Sequence, residues 1–93
     1  MKALINFYSL SKNDISSFLS SFYNKTISLS NEFKHSISFE NPIEMIDLIS
    51  TFFENNDKYN INLWISIDKG IFINITEQNY DDFIRYIYER FPY

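Results

Sequence analysis

The side chains that could perform acid–base chemistry in this chain are one histidine and a small number of carboxylates. His35 is the only imidazole among 93 residues. It falls between Phe33 and Ile37 in an alternating run, which places it on the core-facing side of a strand. A partly buried histidine near a sheet edge usually has a structural role, but a lone histidine can also act as a general base or a pH sensor. The sequence identifies no carboxylate to orient the ring, so we expect the structural role and keep an acid–base or pH-sensing role as the alternative.

The carboxylates cluster on segments with helical spacing. Asp81 and Asp82 follow Asn79 at the start of a predicted helix, where acidic side chains stabilise the helix dipole, and we interpret them as helix-start residues. Glu44, Asp47 and Glu54 recur on the side of another predicted helix that faces away from its apolar stripe. We expect this second group to be a solvated face, with a docking strip for a basic partner as the alternative.

Several classes of site are excluded by composition. The absence of cysteine rules out disulfides, thiolate metal sites and a cysteine nucleophile. The single glycine, Gly70, cannot build a phosphate-cradling loop, and one histidine without cysteine cannot form a His/Cys metal cluster. We therefore expect no cofactor and no metal. We favour a non-catalytic protein over an enzyme.

Nucleic-acid binding is also disfavoured. Residues 69–75, which read Lys-Gly-Ile-Phe-Ile-Asn-Ile, resemble the Lys-Gly-aromatic-x-aromatic signature of RRM domains. That signature displays aromatic rings at its third and fifth positions to stack bases, and here those positions are Ile71 and Ile73. The net charge of −4 further opposes binding to a phosphate backbone.

Capping residues and hydrophobic periodicity predict the elements that would carry these side chains. Asn41 and Pro42 form a strong helix start, with an N-cap followed by proline at the first helical position. Ser11 and Asp14 match a capping box for an earlier helix that runs to about Asn24. The predicted order is β-α-β-β-α-β-β-α, with strands at residues 2–8, 27–29, 33–39, 61–67 and 71–75 and helices at about 12–24, 42–54 and 80–91. The strand within residues 26–30 is the least regular of these.

The hairpin around Gly70 is the strongest pattern. Aliphatic residues alternate from Ile61 to Ile67 and again from Ile71 to Ile75. A three-residue loop with Gly70 in a left-handed conformation would pair Ile65 with Ile73 and keep all of these aliphatic side chains on one face.

These elements predict a single α+β domain spanning residues 1–93. We expect two layers, with a mainly antiparallel (mixed) sheet and the helices packed on one of its faces. The first six elements follow the ferredoxin-like plan, to which this chain would add one strand and a C-terminal helix.

The expected location is the cytoplasm. The N-terminal segment lacks the features of a secretory signal, and no stretch is long and apolar enough to span a membrane. An excess of Asn, Ser, Ile and Lys indicates an AT-rich gene and hence a low-GC bacterial source.

The remaining candidate for a binding site is the outer face of the sheet. Tyr8, Asn62, Trp64, Phe72 and Asn74 would share this face, and Trp and Tyr among Ser and Asn are typical of protein interfaces. The alternative is that the last helix covers the face and makes it core. The favoured function is a small non-catalytic protein-binding or regulatory domain, as a homodimer through this face. The other two hypotheses are an acidic inhibitor or immunity-type protein that binds a basic target, and a small enzyme with a carboxylate, tyrosine or histidine site at a dimer interface.

Overall fold

The computed structural model describes residues 1–11, 13–24, 26, 33–55 and 59–91. Over these ranges the elements follow the order β-α-β-α-β-β-α. They are β1 (Ala3–Ser9), α1 (Asp14–Tyr23), β2 (Lys34–Phe39), α2 (Pro42–Glu54), β3 (Ile61–Ile67), β4 (Ile73–Ile75) and α3 (Tyr80–Arg90). The strand predicted at residues 27–29 lies outside the described residues.

The four strands form one antiparallel sheet in the spatial order β2-β1-β3-β4. β1 pairs antiparallel with both of its neighbours, so that Ile5 lies opposite Ile37 on one side and Ile65 on the other. β2 and β3 therefore run in the same direction but are separated by β1. The crossover through α2 consequently creates no parallel pairing, and the prediction of a mixed sheet was wrong for the described strands.

All three helices contribute side chains to one core on the inner face of the sheet. This face is formed by alternate residues of β1 and β3, among which Ile5, Phe7 and Leu63 are fully buried. Phe18 of α1 packs edge-on against Phe52 of α2, with ring centroids 5.3 Å apart. The helical members of the core cluster are Ile15, Phe18, Leu19, Met45, Ile46, Leu48, Ile49, Phe52, Phe83 and Ile87. This arrangement confirms the α+β prediction and the packing of the helices on one face.

The first helix begins later than the capping box predicts. α1 starts at Asp14, and its N-cap position is taken by Asn13 in a left-handed conformation. The Asp14 carboxylate instead accepts a hydrogen bond from the backbone N–H of Asn60 at 2.8 Å. Ser11 lies beside the same segment, with its hydroxyl 3.4 Å from the amide nitrogen of the Asn60 side chain. Ser11 and Asp14 therefore connect the start of α1 to the segment that leads into β3.

The start of α2 matches its prediction. The Asn41 side chain accepts a hydrogen bond from the backbone N–H of Ile43 at 2.9 Å, and Pro42 is the first helical residue. On the helix itself, Ile43 is exposed while Met45 and Leu48 are fully buried. α2 lies between α1 and α3, so it buries a wider face than a single stripe.

The turn between β3 and β4 differs from the predicted loop. Asp68 and Lys69 have φ values of 50° and 63°, and Gly70 has no positive φ. The N–H of Gly70 donates to the carbonyl of Ile67 at 2.8 Å, which closes a two-residue turn with both central residues left-handed. The prediction that Gly70 needs a positive φ was wrong. Glycine fits here because a Cβ at this position would lie 3.0 Å from the Ile67 oxygen.

The register of this hairpin is the predicted one, with Ile65 opposite Ile73 and Leu63 opposite Ile75. The two-residue turn, however, places Ile67 opposite Gly70. If the register of the strands continued as far as the turn, Ile67 would instead lie opposite Ile71. The strand leaving the turn must accommodate one extra residue, and β4 accordingly begins only at Ile73. The predicted set of buried aliphatic residues therefore loses Ile71 and Ile73, which are exposed.

α3 packs on the same inner face as the other helices. Its residues Phe83 and Ile87 are buried in the shared core, while Tyr88 is exposed. Asn79 occupies the predicted N-cap position but does not cap the helix with its side chain. No helix in the described ranges has the length and apolar character needed to cross a membrane.

Candidate functional site

The structure brings the five predicted binding residues to the outer face of the sheet. Tyr8 of β1 lies directly opposite Asn62 of β3, and Trp64 of β3 lies opposite Asn74 of β4. Phe72 precedes β4 but lines the same shallow depression as Trp64 and Tyr8. The alternation of β1 and β3 produces this grouping, since it sends Phe7 and Leu63 into the core and their neighbours outward.

The aromatic residues of this face are half covered. Trp64 is 39%, Phe72 41% and Tyr8 36% exposed. Because Phe83 and Ile87 hold α3 against the inner face, no described helix lies over these rings. The alternative in which the last helix covers this face was therefore wrong.

Polar side chains on the face are partnered within the sheet. The Ser36 hydroxyl donates to Asn6 Oδ1 at 2.6 Å, and Asn74 Nδ2 donates to the carbonyl oxygen of Leu63 at 3.3 Å. Lys34 Nζ lies 5.8 Å from the centroid of the Tyr8 ring, which is cation–π distance. These contacts engage polar groups of the face within the sheet, while the rings of Trp64 and Phe72 stay partly exposed.

Charge is distributed unevenly between the sheet and the rest of the chain. The chain has twelve acidic residues, yet none lies in the four strands. Lys34 is the one formally charged residue in the four strands, and it lies on their outer face opposite Tyr8. The outer face is therefore a nearly neutral, slightly basic surface on an acidic protein.

One end of the outer face carries more charge than the centre. Beyond the strands, Lys2, Lys69 and Glu40 surround Leu4 and Phe72 in a second depression. Phe72 borders both depressions, so the two adjoin at this residue. Asn6 and Lys34 also lie on this face, although they are not among the five predicted binding residues; the alternation that identified Tyr8 applies equally to both.

His35 lies on the opposite face from Trp64. It is half-buried and pairs across the sheet with the core residue Phe7. Among the described residues, no carboxylate is hydrogen-bonded to the His35 ring. The acid–base or pH-sensing role stays a prediction, and the structure does not bring His35 together with the five predicted binding residues.

The carboxylates singled out in the sequence lie on exposed helix surfaces. Asp81 and Asp82 occupy the first turn of α3, and Asp82 forms an exposed ion pair of 3.8 Å with Arg85. On α2, the side chains of Glu44, Asp47 and Glu54 are all exposed. In the described ranges, no three His, Asp or Glu side chains are grouped as metal ligands would be.

Tyr23, at the end of α1, has a raised pKa. Burial of its ring raises the pKa of the phenol, and the nearby carboxylate of Glu44 raises it further. Both effects disfavour the tyrosinate, the first by desolvation and the second by repulsion. This shift stabilises the neutral phenol at the α1–α2 contact and creates no general base.

Compared with protein families, curated proteins and solved structures, the chain matches none of them.

Proposed function

We propose that this protein is a non-catalytic protein-binding domain that acts through the outer face of its sheet, and that the occupant of this face is a second copy of the chain. The observation that carries the proposal is the half-exposed cluster of Trp64, Phe72 and Tyr8, which α3 leaves uncovered. Large aromatic residues of this kind supply most of the binding energy at protein interfaces.

The charge of the face favours a second copy as occupant. Two chains that each carry a net charge of −4 repel one another at long range. This repulsion is smallest when the surfaces that meet contain no carboxylates, as the strands do not. A face-to-face pair keeps the acidic helices of both copies on the outside, in water.

The size of the face indicates a weak dimer. Four strands spaced about 4.8 Å apart, with about 3.3 Å per residue along a seven-residue strand, give a face of roughly 19 by 23 Å. Its projected area is roughly 440 Å², and the relief of the side chains brings the accessible area closer to the about 800 Å² per partner that is common for specific complexes. A sheet-on-sheet contact of this size belongs at the low end of stable interfaces.

We also infer that the fold follows the ferredoxin-like plan. The inference is supported by two parallel-running strands, β2 and β3, that flank β1 and are joined through α2, as in the split β-α-β unit. In this interpretation β4 is the additional strand and α3 the additional helix. The cytoplasmic location and bacterial source that the sequence predicts are kept as part of the proposal.

Sedimentation equilibrium of charge variants tests the dimer. Asn62 is exposed on the outer face, so Asn62→Glu introduces a carboxylate into each mating surface without disturbing the core. We expect this variant to have a lower association state than the wild type. Ser17→Glu is the matched control, since it adds the same charge on the exposed side of α1. If Asn62→Glu and Ser17→Glu both retain the wild-type mass, the outer face is not the dimer surface.

A further inference from the structure

The second depression, at the charged end of the outer face, has the size of a small-molecule site. Its volume is about 460 Å³, and its lining combines the apolar surfaces of Leu4 and Phe72 with the charged side chains of Lys2, Lys69 and Glu40. Sites for small molecules generally have volumes of about 300–1,000 Å³, with apolar walls and a few polar groups that orient the ligand. The depression therefore meets the requirements of size and composition for such a site.

The backbone ties Lys2 to the turn that carries Lys69. The N–H of Asp68 donates to the carbonyl of Lys2 at 2.7 Å, and the N–H of Lys2 donates to Asp68 Oδ1 at 2.9 Å. These two bonds hold the start of β1 against the turn between β3 and β4. Within the described ranges, neither lysine ammonium group forms an ion pair or a hydrogen bond with another residue. Both positive charges are therefore available to a ligand.

The backbone conformation of Lys69 gives a separate reason to assign a role to its side chain. Lys69 is the second central residue of the turn and has a φ of 63°, in the left-handed region where glycine is strongly favoured. Asp68 shares this region, but aspartate tolerates it better than lysine does. Residues held in sparsely populated backbone regions cluster at ligand and functional sites. The ammonium group that borders the depression gives this unfavourable conformation a use.

We propose that the second depression binds a small planar aromatic molecule that carries one anionic group. The ring of the ligand packs against Phe72, which is 41% exposed and offers an aromatic surface for stacking. The anionic group contacts the ammonium groups of Lys2 and Lys69. Glu40 lines the same depression and repels a second anionic group, so it favours a ligand with a single one.

The charge of the chain favours a small ligand over a polyanion. Nucleic acids require several basic side chains along a phosphate backbone. Here two lysines and one glutamate line the depression, on a chain with a net charge of −4. This local excess of one positive charge suits one anionic group, and the aromatic wall selects against a free inorganic anion.

This site goes beyond the outer-face dimer, but the two share Phe72. A ligand and a second copy of the chain therefore compete for the same ring. Binding is best measured in an Asn62→Glu background, because Asn62 lies opposite Tyr8, outside the second depression, and its substitution opposes the dimer. The affinity measured there does not depend on whether the wild type forms a dimer, so the failure of one proposal is distinguishable from the failure of the other.

Titration with 2-naphthoate, followed through the amide chemical shift of Gly70, tests the ligand class. Gly70 lines the depression and is the single glycine of the chain, so its amide resonance is easily identified. We expect a saturable shift. The same titration with 2-naphthylmethanol, which has the rings without the charge, and with inorganic phosphate, which has the charge without the rings, should show weaker binding. No saturable shift, or equal affinity for 2-naphthoate and either of the other two probes, would overturn the proposal.

Matched lysine variants test the site itself. Lys69→Gln should weaken 2-naphthoate binding about two- to fivefold, which is the effect expected for an exposed ion pair. Lys34→Gln is the control, since it removes the same charge from the outer face beside Tyr8, outside the depression, and should leave the affinity unchanged. Equal affinities for these two variants would show that the attraction is general to the face and would refute the site.

Lys69→Gly separates binding from folding. Glycine adopts the φ of 63° without strain, so this variant should unfold at no lower urea concentration than its parent. It should nevertheless bind 2-naphthoate as weakly as Lys69→Gln does, since both variants lack the ammonium group. A Lys69→Gly protein that is folded and binds with the parent affinity contradicts the role assigned to Lys69.

Discussion

The fluorescence of Trp64 should depend on protein concentration, because the chain contains one tryptophan and that residue lies at the centre of the proposed dimer face. In the monomer Trp64 is 39% exposed. Packing against a second sheet would remove most of this remaining contact with water. We therefore expect the emission maximum to move to shorter wavelength as the concentration rises, and to return on dilution.

The exposed areas set the concentration range for this experiment. A buried aromatic side chain removes about 150–250 Å² from water, so Trp64, Phe72 and Tyr8 each have roughly 60–100 Å² left to bury. Three rings from each copy give about 9–15 kcal/mol of apolar burial. Association itself costs about 4–15 kcal/mol. These two ranges overlap and largely cancel, so we expect a weak dimer and choose a dilution series from about 1 µM to 1 mM.

The controls separate the dimer face from other causes of a spectral shift. Asn62→Glu should give the monomer spectrum over the whole series, whereas Ser17→Glu should follow the wild type. An emission maximum that is constant over the series in the wild type, or a shift that survives Asn62→Glu unchanged, refutes the reasoning from exposed aromatic area.

Three further substitutions probe the scaffold. Lys69→Gly should raise the free energy of unfolding by about 1 kcal/mol in urea titrations, because Lys69 is held at a φ of 63° that glycine adopts without strain; a loss of stability would show that the lysine side chain matters more than its backbone. Asp14→Ala should lower it by about 1–3 kcal/mol, because the N–H of Asn60 loses its acceptor; an unchanged midpoint would show that water replaces the carboxylate. Tyr23 has a raised pKa in the folded state, from burial first and from Glu44 second, so its contribution to stability is complete below the ordinary value of 10.0 and is lost as the pH rises above it. Tyr23→Phe should make the decline in stability above that pH shallower, and an identical decline would contradict this assignment.

The elements that the sequence predicted well are those determined by neighbouring residues. Asn41 and Pro42 specify a helix start by bonding and backbone geometry within three positions, and the structure has that start. The alternation from Ile61 to Ile67 likewise fixes which side of β3 is buried, since its period depends on the strand alone. The same alternation grouped Trp64 with Tyr8 on the outer face before any pairing was known.

The predictions that failed depended on distant parts of the chain. Ser11 and Asp14 satisfy a local capping pattern. The Asp14 carboxylate nevertheless accepts its hydrogen bond from the backbone N–H of Asn60, which lies 46 residues further along the chain. Gly70 was expected in a left-handed conformation because glycine tolerates it best, yet Asp68 and Lys69 adopt that conformation instead. A two-residue and a three-residue connection both fit this sequence, and the difference of one residue decides whether Ile71 is paired or exposed.

The exposure of the outer face depends on where α3 lies, and Asn79 directs the chain there. Its Oδ1 accepts the N–H of Thr76 at 2.7 Å, and its Nδ2 donates to the carbonyl of Asn74 at 3.0 Å. These bonds hold the turn that leads from β4 to the inner face. α3 then packs against the inner face of the sheet through its buried residues Phe83 and Ile87.

Asn79→Ala tests this dependence. Losing two hydrogen bonds to partly buried backbone groups should lower the free energy of unfolding by about 1–3 kcal/mol. Hydrogen exchange should accelerate in α3 before it does in β1, because α3 is attached to the core through two buried residues whereas β1 is paired on both sides. Equal acceleration in α3 and β1 would mean that the helix and the sheet unfold as one unit, and that the turn at Asn79 does not control the position of α3.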